Sequence, residues 1–168
     1  YDPASDFMTI ALMSRQPFIL AVHPSVPARS VAELIAWLRQ RGAAANLGAA
    51  NPDANNYMAA ELLRLRAGVD FTIVPYRAAA GSVQDLVAGR LDLTIDSPTL
   101  LMPQIREGNL RGLAVTTANA SPLLPGMPGL QEAGVPDYDN AIWTMLFARP
   151  GTPGPALSAL RGAAARAL

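Results

Sequence analysis

The chain has 168 residues, of which 51% are apolar and 15% charged, and its formal net charge at pH 7 is zero. These proportions are typical of a folded globular protein and exclude a disordered chain. A balanced charge gives no attraction to nucleic acid or to an anionic membrane surface. The sequence contains neither lysine nor cysteine, which excludes P-loop and Schiff-base lysines, disulfides and zinc–thiolate sites.

Motifs for catalysis, metals and cofactors are also missing from the sequence. It has no GxGxxG, no Walker motif and no metal-ligand spacing, and its one histidine, His23, lacks the neighbours of a triad. We therefore predict no cofactor, no metal site and no enzymatic activity. No stretch reaches the ~18–20 continuous apolar residues of a membrane span. The polar start, Tyr1-Asp2-Pro3, is unlike a signal peptide, so we expect an internal piece of a longer protein or a processed form.

Short apolar runs alternate with amphipathic segments along most of the chain. Ser30 and Glu33 have the spacing of a capping box that begins a helix, and Asn55 or Asn56 is the expected cap of the next helix. Residues 118–139 are rich in proline and glycine and are expected to form a connector with one short helix. The predicted strands are 8–13, 18–22, 46–50, 71–74, 91–95, 110–116 and 141–148. The predicted helices are 31–41, a helix from just after its asparagine cap to residue 67, 82–88, 99–106 and 153–168.

This alternation predicts an α/β fold. The strands are too apolar to leave one face wet, so we expect a largely parallel sheet covered by helices on both faces, with right-handed crossovers. Ligands of such sheets bind at the carboxyl ends of the strands.

Two loops at these strand ends have the composition of anion sites. Residues 76–82 and residues 47–56 are rich in small residues, and each loop leads into a predicted helix. Small side chains leave the backbone N–H groups of a helix N-terminus uncovered, and the helix dipole there favours negative charge. The sequence therefore predicts a binder of small organic acids.

Three side chains near these loops are candidates for ligand contact, each with an alternative. Arg77 suits a ligand carboxylate, or is a solvated arginine at a strand end. Tyr76 forms an apolar wall with its hydroxyl facing the ligand, or only packs. Asp96, at the end of a third strand, accepts a hydrogen bond from a ligand hydroxyl or amine, or caps the helix at Thr99.

Several segments in fixed order carry a family resemblance over nearly the whole chain. They include Val22-His23-Pro24-Ser25-Val26-Pro27-Ala28, Val74-Pro75-Tyr76-Arg77-Ala78, Gly89-Arg90-Leu91-Asp92-Leu93 and Ala148-Arg149-Pro150-Gly151-Thr152-Pro153. In them the chain resembles the periplasmic solute-binding proteins of tripartite tricarboxylate transporters, the Bug family. The resemblance implies a type II periplasmic-binding-protein ("Venus flytrap") fold, in which two α/β domains joined by crossing strands hold the ligand in a cleft.

The resemblance also implies a domain division and partners. Residues 1–17 would be part of the first domain, 18–117 the second domain, and 118–168 a connector and a return to the incomplete first domain. The family's upstream segment, with its glycine-rich carboxylate-binding loop, would be missing. The implied partners are a small organic acid and the membrane subunits of the transporter, and the implied location is the periplasm. Apolar surface left by an incomplete domain also leads us to expect self-association.

The first loop departs from the family pattern, which usually has a serine- and glycine-rich turn followed by a histidine. Here Tyr57 takes the histidine position, Pro52 removes an N–H group and Asp53 adds a charge that repels a carboxylate. The family's dicarboxylate preference is therefore not carried over. The candidate ligand-binding residues are Ala50, Asn51, Asp53, Ala54, Asn55, Tyr57, Tyr76, Arg77, Ala78, Ala79 and Asp96.

The predicted function is that of an extracytoplasmic binding protein that captures a small carboxylate-containing metabolite for a secondary membrane transporter. The alternative is the ligand-sensing domain of a cytoplasmic transcription regulator, which shares this two-domain α/β architecture. An upstream helix-turn-helix would favour the regulator, and a signal peptide would favour the transport protein.

Overall fold

The computed structural model describes residues 2 and 5–168 and divides the chain into two compact units. The larger unit is Pro17–Ala141, and the smaller one combines the described residues up to Gln16 with Ile142–Leu168. Tyr1, Pro3 and Ala4, which the predicted first-domain segment includes, lie outside the described residues. Whether the two units correspond to the two domains of the family stays a prediction.

The alternation of strands and helices is the predicted one, with shifted boundaries. The strands are β1 Met8–Pro17, β2 Ile19–Val22, β3 Asn46–Ala49, β4 Thr72–Pro75, β5 Leu93–Asp96, β6 Arg111–Val115 and β7 Ala141–Ala148. The helices are α1 Val31–Arg41, α2 Asn55–Ala67, α3 Ala79–Val87, α4 Pro98–Arg106 and α5 Gly154–Ala167, with a short 3₁₀ turn at Gly42–Ala44.

The larger unit is built on a five-stranded sheet with the order β4-β3-β5-β2-β6. Strand β3 is parallel to β4 and β5, whereas β2 is antiparallel to both β5 and β6. Four strands therefore point one way and β2 points the other way, as a largely parallel sheet requires. All four residues of β2 and of β5 are buried, and because alternate residues point to opposite faces, both faces of the sheet are covered.

One hydrophobic core lies between this sheet and the helices α3 and α4. Its buried members include Ile19 and Val115 from the strands, Val83 and Leu86 from α3, and Leu101 from α4. Gly48 allows α3 to approach β3 closely, because a Cβ there would lie 2.9 Å from Ser82 Cβ and 2.5 Å from Leu91 Cδ1. This contact fixes the position of the first turn of α3 against the sheet.

Residues 118–140 group with the larger unit, in which they bury Leu124, Leu130, Val135 and Tyr138. Their assignment as a connector between two domains stays a prediction. The expected short helix is wrong, since the described backbone of this segment consists of turns and one bridge, Val115 to Gly129. Glycine- and proline-rich turns pack on a core here without needing a helix.

The smaller unit has little core. Strands β1 and β7 pair as a two-stranded sheet, and β1 continues to Pro17 through residues that were expected to separate two strands. Ile10, Leu157 and Ala164 form its buried cluster, while Trp143 is 59% exposed. A two-stranded sheet is only marginally stable by itself, and self-association through this surface stays a prediction.

Among the described residues, no helix has the length and apolar character that crossing a membrane requires.

Candidate functional site

Three neighbouring parallel strands end at one edge of the five-stranded sheet, and a helix begins after each of them. Strands β4, β3 and β5 lie side by side with their carboxyl ends at Pro75, Ala49 and Asp96. The backbone N–H of Tyr76 donates to Ala49 O at 2.8 Å, so the ladder continues into the loops. The structure therefore brings the two predicted anion loops and Asp96 to one edge, which we call the carboxyl edge.

The three helices that begin at the carboxyl edge have no side-chain caps. Their N-cap residues are Ala54 for α2, Ala78 for α3 and Ser97 for α4; none forms a side-chain capping hydrogen bond, and no first turn contains an acidic residue. The prediction that Asn55 or Asn56 caps α2 is wrong, because both residues lie inside the helix. The partial positive charge of these helix ends is therefore not neutralised by a residue of the same turn.

The start of α3 differs from the predicted one in a way that matters for anion binding. The helix begins at Ala79, three residues earlier than expected, with Ala78 extended at φ −144° and ψ 142°. Within this turn, Gly81 N donates to Ala78 O at 3.1 Å, and Ser82 Oγ donates to Ala79 O at 2.8 Å. The donors that face outward from a helix start are thus those of Ala79 and Ala80, a narrower set than the whole loop.

Tyr76 has a packing role in the structure. Its hydroxyl donates to Asp85 Oδ2 at 2.7 Å, and Arg90 Nη1 lies 2.7 Å from the other oxygen of the same carboxylate. Burial is the main cause that raises the pKa of Tyr76 to about 12, followed by the hydrogen bond to Asp85. Because the hydroxyl is engaged on α3, the packing alternative for Tyr76 fits and a free hydroxyl at the carboxyl edge does not.

Arg77 is exposed next to the start of α3. Within the part of the chain that the structure describes, its guanidinium forms no hydrogen bond or ion pair. An unpaired arginine beside an uncapped helix start adds a second source of positive potential to the same place.

The loop before α2 exposes its polar residues. Asn51, Asp53 and Asn55 are exposed, whereas Ala50 and Ala54 are half-buried. Tyr57 lies instead in a groove of about 790 Å³ on the outer face of α2, whose other lining residues are Pro52, Met58, Glu61, Leu62, Arg64, Leu65 and Asn140. The candidate residues of this loop therefore divide between the carboxyl edge and that groove.

Asp96 is buried at the carboxyl edge and joins two helix starts. It is 3% exposed; its Oδ2 accepts from Asn56 Nδ2 at 3.0 Å, and its Oδ1 accepts from the backbone N–H of Ser97 at 2.7 Å. Burial raises the pKa of this carboxyl above its usual value, and the hydrogen bonds from Ser97 and Asn56 oppose that rise. Because α4 begins at Pro98, Asp96 lies just before the cap rather than capping Thr99.

Asn56 is the residue at this edge that the sequence prediction missed. It belongs to the buried face of α2, with Ala59, Ala60, Leu63 and Ala67, and this helical spacing was available from the sequence. The larger apolar residues Met58 and Leu65 of the same helix lie on its outer side and are 59% and 75% exposed. A polar residue on the buried face of an otherwise small-residue helix is the signal that identifies Asn56. No group of three or more acidic or histidine side chains that could hold a metal occurs among the described residues.

Comparison with known proteins places the chain among transport receptors. A family model described as "Tripartite tricarboxylate transporter family receptor" matches residues 1–168. A "UPF0065 protein in tcbD-tcbE intergenic region" from a Pseudomonas species is 34% identical over 91% of this chain and 46% of its own length. "Protein BugT" from Bordetella pertussis is 26% identical over 90% of this chain and 47% of its own length.

Solved structures of related binding proteins resemble nearly the whole chain. The chain of "R. palustris Rpa4515 with adipate" is 39% identical with a TM-score of 0.81, covering 98% of this chain and 55% of that one. "MatC (Rpa3494) from Rhodopseudomonas palustris with bound malate" is 30% identical with a TM-score of 0.79, covering 99% and 57%. The chain spans about half the length of the curated relatives it matches.

Proposed function

The chain belongs to the tripartite tricarboxylate transporter receptor family, and from that premise we propose that it binds a small organic carboxylate and delivers it to a membrane transporter. The family is one of receptors, so the chain itself is assigned no catalytic step. Membrane subunits of a tripartite tricarboxylate system are the proposed partners, and the periplasm is the proposed location. The same evidence favours a transport receptor over the ligand-sensing domain of a transcription regulator.

The observation that carries this proposal is the set of three uncapped helix starts at the carboxyl edge. Helix N-termini that lack side-chain caps have free N–H donors and an uncompensated positive end, which together bind a carboxylate. Proline at Pro98 removes one donor from the start of α4. The starts of α2 and α3, with N–H donors at Asn55 and Ala79, are therefore the proposed carboxylate contacts.

Charged side chains at the same edge change the electrostatic potential of this site. Arg77 contributes positive charge beside α3, while the exposed Asp53 contributes negative charge in the loop before α2. These opposite charges give the two loops different affinities for an anion, and the loop that ends at Ala79 is the stronger site. Ala50, Asn51, Ala54 and Ala78 have side chains too small or too exposed to select a ligand, so they are proposed to contribute backbone groups.

A calorimetric titration tests this function. Adipate and malate, the ligands of two related structures, are titrated into protein expressed from its complete coding sequence, with dimethyl adipate as the uncharged control. We expect saturable binding of at least one acid and none of the ester, because helix N-termini and Arg77 require a negative charge. Equal binding of acid and ester, or no binding of either acid, contradicts the proposal.

A further inference from the structure

Asn56 has one side-chain atom whose hydrogen-bonding capacity is unused. The residue is 5% exposed, its Nδ2 donates to Asp96 Oδ2 at 3.0 Å, and its Oδ1 is buried without a hydrogen-bond partner. A carboxylate only accepts hydrogen bonds, so the amide must turn Nδ2 toward Asp96 and leave Oδ1 as a free acceptor. A buried acceptor without a donor is rare in folded proteins and costly to keep.

The free acceptor lies beside a second acceptor. Oδ1 and Nδ2 of Asn56 are bonded to the same carbon, so Oδ1 lies next to the Asp96 carboxylate, which receives hydrogen bonds from the backbone and the side chain of Ser97 and from the Asn56 amide. A carboxylate has about four lone-pair sites, so Asp96 also has capacity to spare. Burial raises the pKa of Asp96 above its usual value, and these hydrogen bonds oppose that rise. The unsatisfied Asn56 Oδ1 therefore lies beside a carboxylate that can accept about one more hydrogen bond.

We propose that Asn56 and Asp96 select, among small carboxylates, those that bear a hydroxyl or ammonium group next to the carboxylate. This inference rests on the proposed function, and it names the ligand class of the same site. The ligand's carboxylate lies at the uncapped start of α2 or α3, and its neighbouring donor group satisfies Asn56 Oδ1 and Asp96 together. An acid without that donor leaves both acceptors unsatisfied when water is excluded.

The position of Asn56 at the start of α2 supports this arrangement. Asn56 is the second residue of the helix, after Ala54 and Asn55, so its side chain and the free N–H groups of the first turn belong to one site. Oδ1 is out of reach of water in this structure. The donor therefore reaches it only after a local rearrangement on binding, of the kind that a substantial minority of complexes show.

The decisive experiment compares three acids of equal chain length. Succinate has no additional donor, malate has a hydroxyl and aspartate has an ammonium group. Calorimetric titration of each into the protein should give affinities for malate or aspartate about ten-fold higher than for succinate, the amount that one satisfied buried hydrogen bond supplies. A preference for aspartate identifies the ammonium as the donor, and a preference for malate the hydroxyl. Equal affinities for all three acids overturn the inference and leave the proposed function standing; if none of the three acids nor adipate binds, both fall.

Asn56→Leu distinguishes selection from a purely structural role. The change keeps the side-chain size but removes both polar atoms, so the ratio of malate or aspartate affinity to succinate affinity should fall to about one. A structural role would weaken all three acids by the same factor and leave that ratio unchanged, which contradicts the inference. Asn109→Leu is the matched control, because Asn109 is an exposed asparagine just before the beginning of β6, at the end of the sheet away from the carboxyl edge, and it should keep the ratio.

Asp96→Asn supplies a second variant that is expected to fold. The amide oxygen still accepts from Ser97 N–H, and its nitrogen donates to Asn56 once that amide turns over. Because burial raises the pKa of Asp96, the folded state binds this proton more tightly than the unfolded state, so wild-type stability falls as pH rises through the folded-state pKa. Asp96→Asn should therefore be at least as stable as wild type at pH 7, and any gain in stability should disappear in acid. The same variant should lose the preference for malate or aspartate over succinate. Retention of the preference in this folded variant contradicts the inference.

Discussion

The helix starts at the two edges of the five-stranded sheet are built differently. The segment that leads into α1 lies at the opposite edge, where Arg111 at the beginning of β6 donates to the carbonyl oxygens of Val26 and Ala28. There the Ser30 side chain accepts from Glu33 N–H at 3.2 Å, and Glu33 returns to accept from Arg29 N–H at 2.6 Å. At the carboxyl edge, α2, α3 and α4 have neither such a cap nor an acidic first turn.

The difference follows from the direction of one strand. Strand β2 is antiparallel to its neighbours, with Val22 opposite Leu93 at the beginning of β5, so the helix that follows it starts away from the other three. A capped helix start is the stable choice, worth about 1 kcal/mol. The three uncapped starts at a single edge are the contrast on which the proposed anion site rests.

The largest effect is expected from removing one donor at the carboxyl edge. Ala79→Pro eliminates the N–H of the first residue of α3, a position where proline is tolerated and where the preceding residue, Ala78, is already extended. Carboxylate binding should weaken by about 2 kcal/mol, or roughly thirty-fold, while the melting temperature changes little. Titration of adipate and malate measures this loss. Ala79→Ser keeps the N–H and is the control; equal losses in both variants would show that the backbone donor is not the contact.

The sequence placed both small-residue loops at strand ends that the structure brings to one edge of the sheet, and their role as anion sites stays a prediction. It predicted the start of α1 from its capping box, but it misplaced the starts of α2 and α3, since Asn55 and Asn56 have high cap propensity and yet lie inside α2 and α3 begins three residues earlier than expected. Tertiary contacts decide the outcome there: Asn56 pairs with Asp96, a residue 40 positions away. The engagement of Tyr76 by Asp85 was equally unpredictable, because rotamers and partners depend on packing that the chain order does not reveal.

A change at the opposite edge should lower stability and leave carboxylate affinity unchanged. Ser30→Ala removes the cap of α1 and should lower the free energy of unfolding by about 1 kcal/mol, because the N–H of Glu33 loses its acceptor. Carboxylate affinity should not change, since α1 begins at the edge without the proposed site. Denaturant unfolding and titration on the same preparation measure the two quantities. A loss of affinity without a loss of stability would mean that the anion binds at α1.

Adding a cap at the carboxyl edge should raise stability and lower carboxylate affinity. Ala54→Ser places a hydroxyl at the N-cap of α2, where the backbone is already extended at φ −83° and ψ 147°. We expect stability to rise by roughly 0.5–1 kcal/mol and carboxylate affinity to fall, because the new hydroxyl accepts from the donors that the ligand needs. Denaturant midpoints and titration together decide the case. A variant that gains stability and keeps full affinity would assign the anion to α3 alone.

The smallest effect is expected from the exposed charge beside α3. Arg77→Ala removes a guanidinium that is exposed and unpaired within the described part of the chain, so its attraction to a carboxylate is screened by water and salt. Affinity should fall by about 0.5 kcal/mol, or roughly two-fold, and the loss should shrink as salt is added. Arg29→Ala, an exposed arginine at the opposite edge, is the control and should have no effect on binding. If Arg77→Ala instead abolishes binding at all salt concentrations, the side chain rather than the uncapped helix start is the main carboxylate contact, and the contrast between the two edges loses its functional meaning.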